Sequence, residues 1–133
     1  MASKSAADLY HRMISCWKNP ASIVIGGVEP PTLITGNMPD LSDLNTVERM
    51  MVLDLLTYLP DDILCKVDRA AMGVSLESRI PFLDHRVVEF AWRLPMEYKL
   101  REGQTKWALR QVLYRHVPKE LIERPKMGFG VPI

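Results

Sequence analysis

A chain of 133 residues, 47% apolar and 25% charged, is long enough to bury a core of its own and too apolar to be disordered. Seventeen basic side chains against sixteen acidic ones leave a net charge of +1, without the surplus that proteins gripping phosphate backbones carry. The opening "MASKSAADLY" has no signal-peptide core, and no run approaches the roughly 18 apolar residues of a membrane span.

The spacing predicts a first helix over 5–17, with Leu9, Met13, Ile14 and Trp17 on one face and Ser5 followed by Asp8 as a start signal. Cys16 within it and Cys65 further on stand outside any C-x-x-C pattern, and read as reduced thiols in a cytoplasmic protein. Residues 18–40 carry four prolines and three glycines around two apolar snippets, "SIVIGG" and "PTLIT". That predicts a long irregular loop in a chain otherwise read as one domain over 1–133, which the resemblance named below makes a partial one.

A long helix is expected over "LSDLNTVERMMVLDLLTYL", with Leu41, Leu44, Val47, Met51, Leu55 and Tyr58 inward, Asp40 or Ser42 as cap, and Pro60 as its end. A third helix, 61–72, turns Ile63, Leu64 and Val67 inward. Asp84 is the expected cap of a fourth, which points Val87, Val88, Ala91 and Trp92 inward and stops before Pro95. The last full helix is expected from about Thr105 to His116, with Pro118 opening a short one through Glu123. With no strand of convincing length, the fold class is all-α.

Three phrases can carry chemistry, and the histidines do not make a fourth. His11, His85 and His116 fall in three separate segments, so no metal site is expected. Asp61 and Asp62 open the third helix, where they either cap it through the helix dipole or face a cleft and handle a proton. Glu77 and Arg79 stand in a linker before Pro81, Phe82 and Leu83, which are expected to bury. A charged pair there either pins helix ends or walls a pocket. Lys126 adjoins Gly128-Phe129-Gly130, where glycines permit close backbone approach and a lysine can meet a phosphate or a developing oxyanion.

Taken together, "YLPDDILCKVDRAAMGVSLESRIPFLDHRVVEFAWRLP", "KWALRQVL" and "ERPKMGFGVP" resemble, in order and spacing, the synthetase domain of the glutamine-hydrolysing asparagine synthetases. The resemblance is specific from Tyr58 to Pro132 and looser before it; Ala71 stands where many members have Ser or Thr. It implies the helical part of an α/β domain of the adenine nucleotide alpha hydrolase type, whose sheet half is absent. It also implies an amidotransferase, a carbon–nitrogen ligase of asparagine biosynthesis that activates aspartate with Mg–ATP and amidates it with ammonia drawn from glutamine.

Carried over, Lys126 lies against the nucleotide phosphates, Asp62 matches the family's acidic residue before "VDR", with Asp61 as alternative, and Glu77, Arg79 and Gly128 support binding. The family's "S-G-G-x-D-S" pyrophosphate loop, its acidic Mg-binding stretch and its N-terminal nucleophilic cysteine do not occur in this sequence. ATP and Mg are thus expected to be held mostly by upstream residues, and the chain to be a portion of a larger enzyme, inactive alone and self-associating through exposed apolar surface. No nucleic-acid or membrane partner is expected. The competing readings are a stand-alone helical interaction module, a helix-turn-helix nucleic-acid binder using Arg101, Lys106, Arg110 and Arg115, and a related β-lactam synthetase-like enzyme with another carboxylate substrate.

Overall fold

A computed structural model describes residues 5–15, 17 and 19–125. The chain divides into two compact units, Met1–Ser78 and Arg79–Ile133. Among the described residues the architecture is mainly helical, with one two-stranded antiparallel ribbon.

In the first unit, α1 (Ala6–Ile14) starts where the Ser5 hydroxyl accepts the Asp8 N–H at 3.1 Å, satisfying one of the N–H groups that every helix start leaves open. The helix stops at Ile14 rather than Trp17: Ser15 is already extended, and Trp17, 67% exposed, gains no burial that would favour continuing the helix. A single 3₁₀ turn, Pro20–Ser22, comes next. Side chains close the turns beyond it. The Thr35 hydroxyl accepts the Thr32 N–H at 2.9 Å, and Asp40 accepts the Ser42 N–H at 2.9 Å.

Helix α2 (Thr46–Leu53) is capped by Asn45, not by Asp40 or Ser42. Asn45 Oδ1 accepts the N–H groups of Val47 and Glu48, while Glu48 reaches back to the Asn45 N–H at 3.0 Å, a reciprocal capping box. Asp40 is occupied with its own turn. Arg49 then locks the approach, donating to the carbonyls of Leu44 at 2.7 Å and Ser42 at 2.8 Å.

Pro60 does not end this helix. The backbone passes from α2 into a π-helical stretch, Asp54–Leu64, and on into α3 (Cys65–Met72), with Pro60 inside. In an α-helix a proline collides with the carbonyl four residues earlier and leaves it without a donor. The wider π winding gives the ring room, so one helical run replaces the two that were expected.

The core of this unit is small. Leu53 and Tyr10 are the buried apolar side chains among the described residues, at 1% and 4% exposure. Tyr10 Oη donates to Asp54 Oδ1 at 2.7 Å and lies 3.2 Å from Thr57 Oγ1. Burial, with the neighbouring Asp54 carboxylate, raises the phenol's pKa despite the Thr57 contact. Of the stripe expected on α2 and α3, Val47, Tyr58, Ile63 and Val67 are exposed.

In the second unit, Asp84 caps α4 (His85–Arg93) as expected, accepting the Arg86 N–H at 2.9 Å and both arms of its guanidinium. That guanidinium holds the Asp84 carboxyl below its ordinary pKa. The preceding 3₁₀ turn, Pro81–Leu83, is not buried: Phe82 is 62% exposed, and α4 likewise leaves Val87, Ala91 and Phe90 open. No described layer covers that side.

Helix α5 (Met96–Lys99) leads into β1 (Leu100–Arg101) and β2 (Gln104–Thr105), paired Leu100 to Thr105 and Arg101 to Gln104. Glu102 and Gly103 both have positive φ, 52° and 78°, the mirror-image turn whose twist suits a two-residue hairpin. Thr105 therefore belongs to a strand, and α6 begins later than expected, at Trp107, and ends at Leu113. Trp107 holds the corner: Tyr98 meets its ring edge-on at 6.0 Å, and the Arg101 guanidinium sits 4.9 Å from its centre. Pro118 precedes α7 (Lys119–Ile122).

The small core makes a sharp expectation. Leu53→Ala lowers unfolding free energy by about 2–4 kcal/mol, and Tyr10→Phe by about 1 kcal/mol, through the lost donor. Phe82→Ala changes it by less than about 0.5 kcal/mol. Urea titrations followed by circular dichroism rank the three. Equal effects for Leu53→Ala and Phe82→Ala would show that the core lies elsewhere.

Candidate functional site

In the first unit the two candidate carboxylates lie one step past Pro60, inside the π-helical stretch rather than at a helix start. The first-turn capping role considered for them is therefore not theirs. Asp62 is partly covered and pairs with Lys66 Nζ at 2.5 Å, one turn on; Asp61 is exposed. Lys66 is itself 72% exposed, so the pair is solvent-screened.

Glu77 lies in the irregular segment after Ser75, a residue held at φ 60°, and it is exposed. Arg79 opens the second unit and is exposed as well; both side chains are engaged. An open cleft of 410 Å³ in the first unit, between the start of α1 and residues 38–42, is lined by none of these four. Lys126 and Gly128 lie outside the described residues. The arrangement thus brings Asp61 and Asp62 together on one helical run, and leaves Arg79 in a different unit.

One constellation escaped the sequence reading. Arg110 and Tyr114, four apart on and just past α6, converge on Glu123, which comes directly after α7. Arg110 Nη1 and Tyr114 Oη both donate to Glu123 Oε1, while Arg110 Nε donates to the Thr105 carbonyl at 3.0 Å. The Lys119 ammonium lies 5.6 Å from the centre of the Tyr114 ring. The Tyr114 hydroxyl, backed by the charges of Arg110 and Lys119, holds the Glu123 carboxyl below its ordinary pKa. The signal was available as an i,i+4 Arg–Tyr pair with an acid just past the next short helix. Arg110, weighed as a contact for nucleic acid, is turned instead onto Glu123.

Among the described residues no three His, Cys, Asp or Glu side chains gather to hold a metal ion, and no helix is long and apolar enough to cross a membrane. Cys65 is a free, exposed thiol.

The described residues form a mainly helical framework in which one continuous run through Pro60 bears Asp61 and Asp62. The asparagine synthase family model matches residues 2–133, and the chain belongs to that family. A Mycobacterium tuberculosis protein named as an asparagine synthetase is 49% identical over 87 residues, 65% of this chain and 13% of that protein. Bacillus subtilis asparagine synthetase 1 (glutamine-hydrolysing) is 40% identical over 92 residues, 69% of this chain and 15% of that one. The human glutamine-hydrolysing asparagine synthetase is 38% identical over 68 residues, 49% of this chain and 12% of that one. The chain therefore spans only about an eighth of the length of relatives it matches. No solved structure matches it.

The Glu123 cluster gives a pH expectation. A carboxyl with a depressed folded pKa contributes stability that is complete above its unfolded value, about 4.3, and is lost as pH falls through the lower folded value. Thermal midpoints therefore fall less steeply between about pH 5 and pH 3 in Glu123→Gln than in the parent. Superimposable pH profiles would mean the cluster does not hold in solution.

Proposed function

We propose that the chain forms the helical, C-terminal part of the synthetase active site of a glutamine-dependent asparagine synthetase, an α/β domain of the adenine nucleotide alpha hydrolase type acting in the cytoplasm. The observation that carries the reading is the family match over residues 2–133. The exposed faces of α4 and of the Pro81–Leu83 turn, with Phe82 and Phe90 most open, suit a helical layer laid over a sheet. In the isolated chain the same surface is available for self-association.

In the reaction so assigned, an oxygen of the aspartate β-carboxylate attacks the α-phosphorus of ATP. The bond to the β-phosphate breaks, and pyrophosphate leaves. Ammonia released from glutamine then attacks the acyl carbon of the aspartyl-adenylate, and AMP departs as the amide forms. Lys126 supplies a fixed positive charge where negative charge grows, first on the α-phosphate oxygens and then on the tetrahedral oxyanion. Asp62 orients the incoming ammonia and takes its surplus proton, with Lys66 as its resting partner. Glu77, Arg79 and Gly128 support binding.

Mg²⁺ would be held mostly by residues upstream of this chain together with the nucleotide phosphates, whose charge it would offset. With no pyrophosphate loop in its sequence, the chain alone binds nucleotide weakly and turns over poorly.

A full-length relative in which this chain replaces the matching stretch tests the reading. The chimera forms AMP only when aspartate, ATP and an ammonia source are all present. Lys126→Ala lowers its kcat about 10²–10³-fold. Asp62→Asn lowers it at least about tenfold, and Asp61→Asn far less. A folded chimera without AMP formation, or full activity in Lys126→Ala, would overturn the assignment.

A further inference from the structure

The wide winding of residues 54–64 has a side-chain counterpart at its start. Asp54 is its first residue, and the Tyr10 hydroxyl, reaching across from α1, donates to Asp54 Oδ1 at 2.7 Å. The same hydroxyl oxygen lies 3.2 Å from Thr57 Oγ1, and Thr57 in turn donates to the Leu53 carbonyl at 2.7 Å. A threonine hydroxyl bonded to the carbonyl four residues back competes with the helical ladder and bends it. The Tyr58 N–H bears on the Tyr10 oxygen as well. A side chain set against the ladder in this way is one of the few physical causes of a departure from α winding. Tyr10 and Leu53 are also the buried apolar side chains among the described residues, so α1 meets the run where water is best excluded.

The consequences lie downstream. Pro60 bars α winding around itself, because its ring would meet the carbonyl of Leu56. Asp62 follows Thr57 by five residues, the repeat of the π ladder, and its partner Lys66 stands one turn further on. When the turn held by Tyr10 tightens, every residue beyond it rotates about the axis, and Asp61 and Asp62 rotate with it. The two adjacent carboxylates are distinct in the present winding: Asp62 is partly covered and Asp61 is exposed. Rotation removes that distinction.

We propose that Tyr10, through its hydroxyl on Asp54 and Thr57, is a positioning residue that selects Asp62 over Asp61 as the acid presented by the helical run. The inference rests on the reading of Asp62 as the group that receives the proton of ammonia. Tyr10 touches neither substrate nor reacting atoms. It holds the winding, and the winding sets which carboxylate is presented. Its loss lowers the fraction of molecules with Asp62 in place, so the cost falls on the chemical step rather than on nucleotide affinity.

The test has two parts. In the 133-residue chain, NMR couplings across the backbone hydrogen bonds are expected to join the amides of Tyr58 and Leu59 to carbonyls five residues back, and in Tyr10→Phe to carbonyls four residues back. An unchanged pattern in Tyr10→Phe would overturn the role. In the full-length chimera, Tyr10→Phe is expected to lower kcat about tenfold with KM for ATP within about twofold, and Asp54→Ala to do the same. Asp54→Asn, which keeps an accepting oxygen, recovers most of the loss. In an Asp62→Asn background, Tyr10→Phe changes kcat by less than about twofold. A tenfold loss that persists in that background would also overturn the role, as would parental kcat in both Tyr10→Phe and Asp54→Ala. Should Tyr10→Phe not fold, Asp54→Ala with and without Asp62→Asn carries the same cycle. Parental kcat in Asp62→Asn alone is a different failure: it removes the assignment of Asp62, and the selection of that carboxylate with it, whatever the couplings show.

Discussion

Pro60 lacks a backbone N–H and carries a ring that collides with a carbonyl one turn back, yet it stands inside an unbroken helical run from Thr46 to Met72. The accommodation, eleven residues wound more loosely than an α-helix, shapes the rest of the first unit. It carries Asp54 and Thr57, which receive Tyr10 and dock α1, and it carries Asp61 and Asp62 immediately beyond the proline. A tighter winding would rotate those carboxylates about the axis, because each residue advances by a smaller angle in the wider helix. The proline therefore couples the one buried polar anchor described in the unit to the direction of its candidate acids.

The two units share a second trait. Their secondary structure is secured by local devices: the Asn45–Glu48 capping box, Arg49 on two carbonyls, the Asp84–Arg86 fork, and Trp107 between Tyr98 and Arg101. Among the described residues, long-range burial contributes little beyond Leu53 and Tyr10. Helices so short are marginal in water without tertiary packing, and the open apolar faces of α4 and the Pro81–Leu83 turn mark where such packing is wanted. Membership in a family whose relatives are several times longer is consistent with those faces serving an interior.

What was legible in the sequence was whatever depends on one or two neighbouring residues. Ser5, Asp84 and Pro118 start helices as their side chains dictate, and Pro95 stands just past the end of α4. Asn45 was passed over for Asp40 because both types cap, and only the turn closed by Asp40 and Ser42 decides between them. Pro60 misled because the rule against proline in helices assumes α winding. The hairpin at 100–105 was hidden because Glu102-Gly103 is a weaker turn signal than Asn-Gly, and its strands are two residues each. For the site, motif order nominated Asp61, Asp62 and Lys126, whereas the Arg110–Tyr114–Glu123 cluster shows locally only as an i,i+4 Arg–Tyr pair, and its convergence on Glu123 depends on how α6 meets the end of α7.

The brevity of β1 and β2 has a further consequence. A chain with this much uncovered apolar surface runs the risk of ordered aggregation, which needs a strand edge long enough to recruit another. Two residues closed by a tightly twisted turn offer almost no such template, and Arg101 on one of them adds a charge. Among the described residues the ribbon is thus a poor point for edge-to-edge pairing, and the exposed apolar surface lies on helices and loops instead.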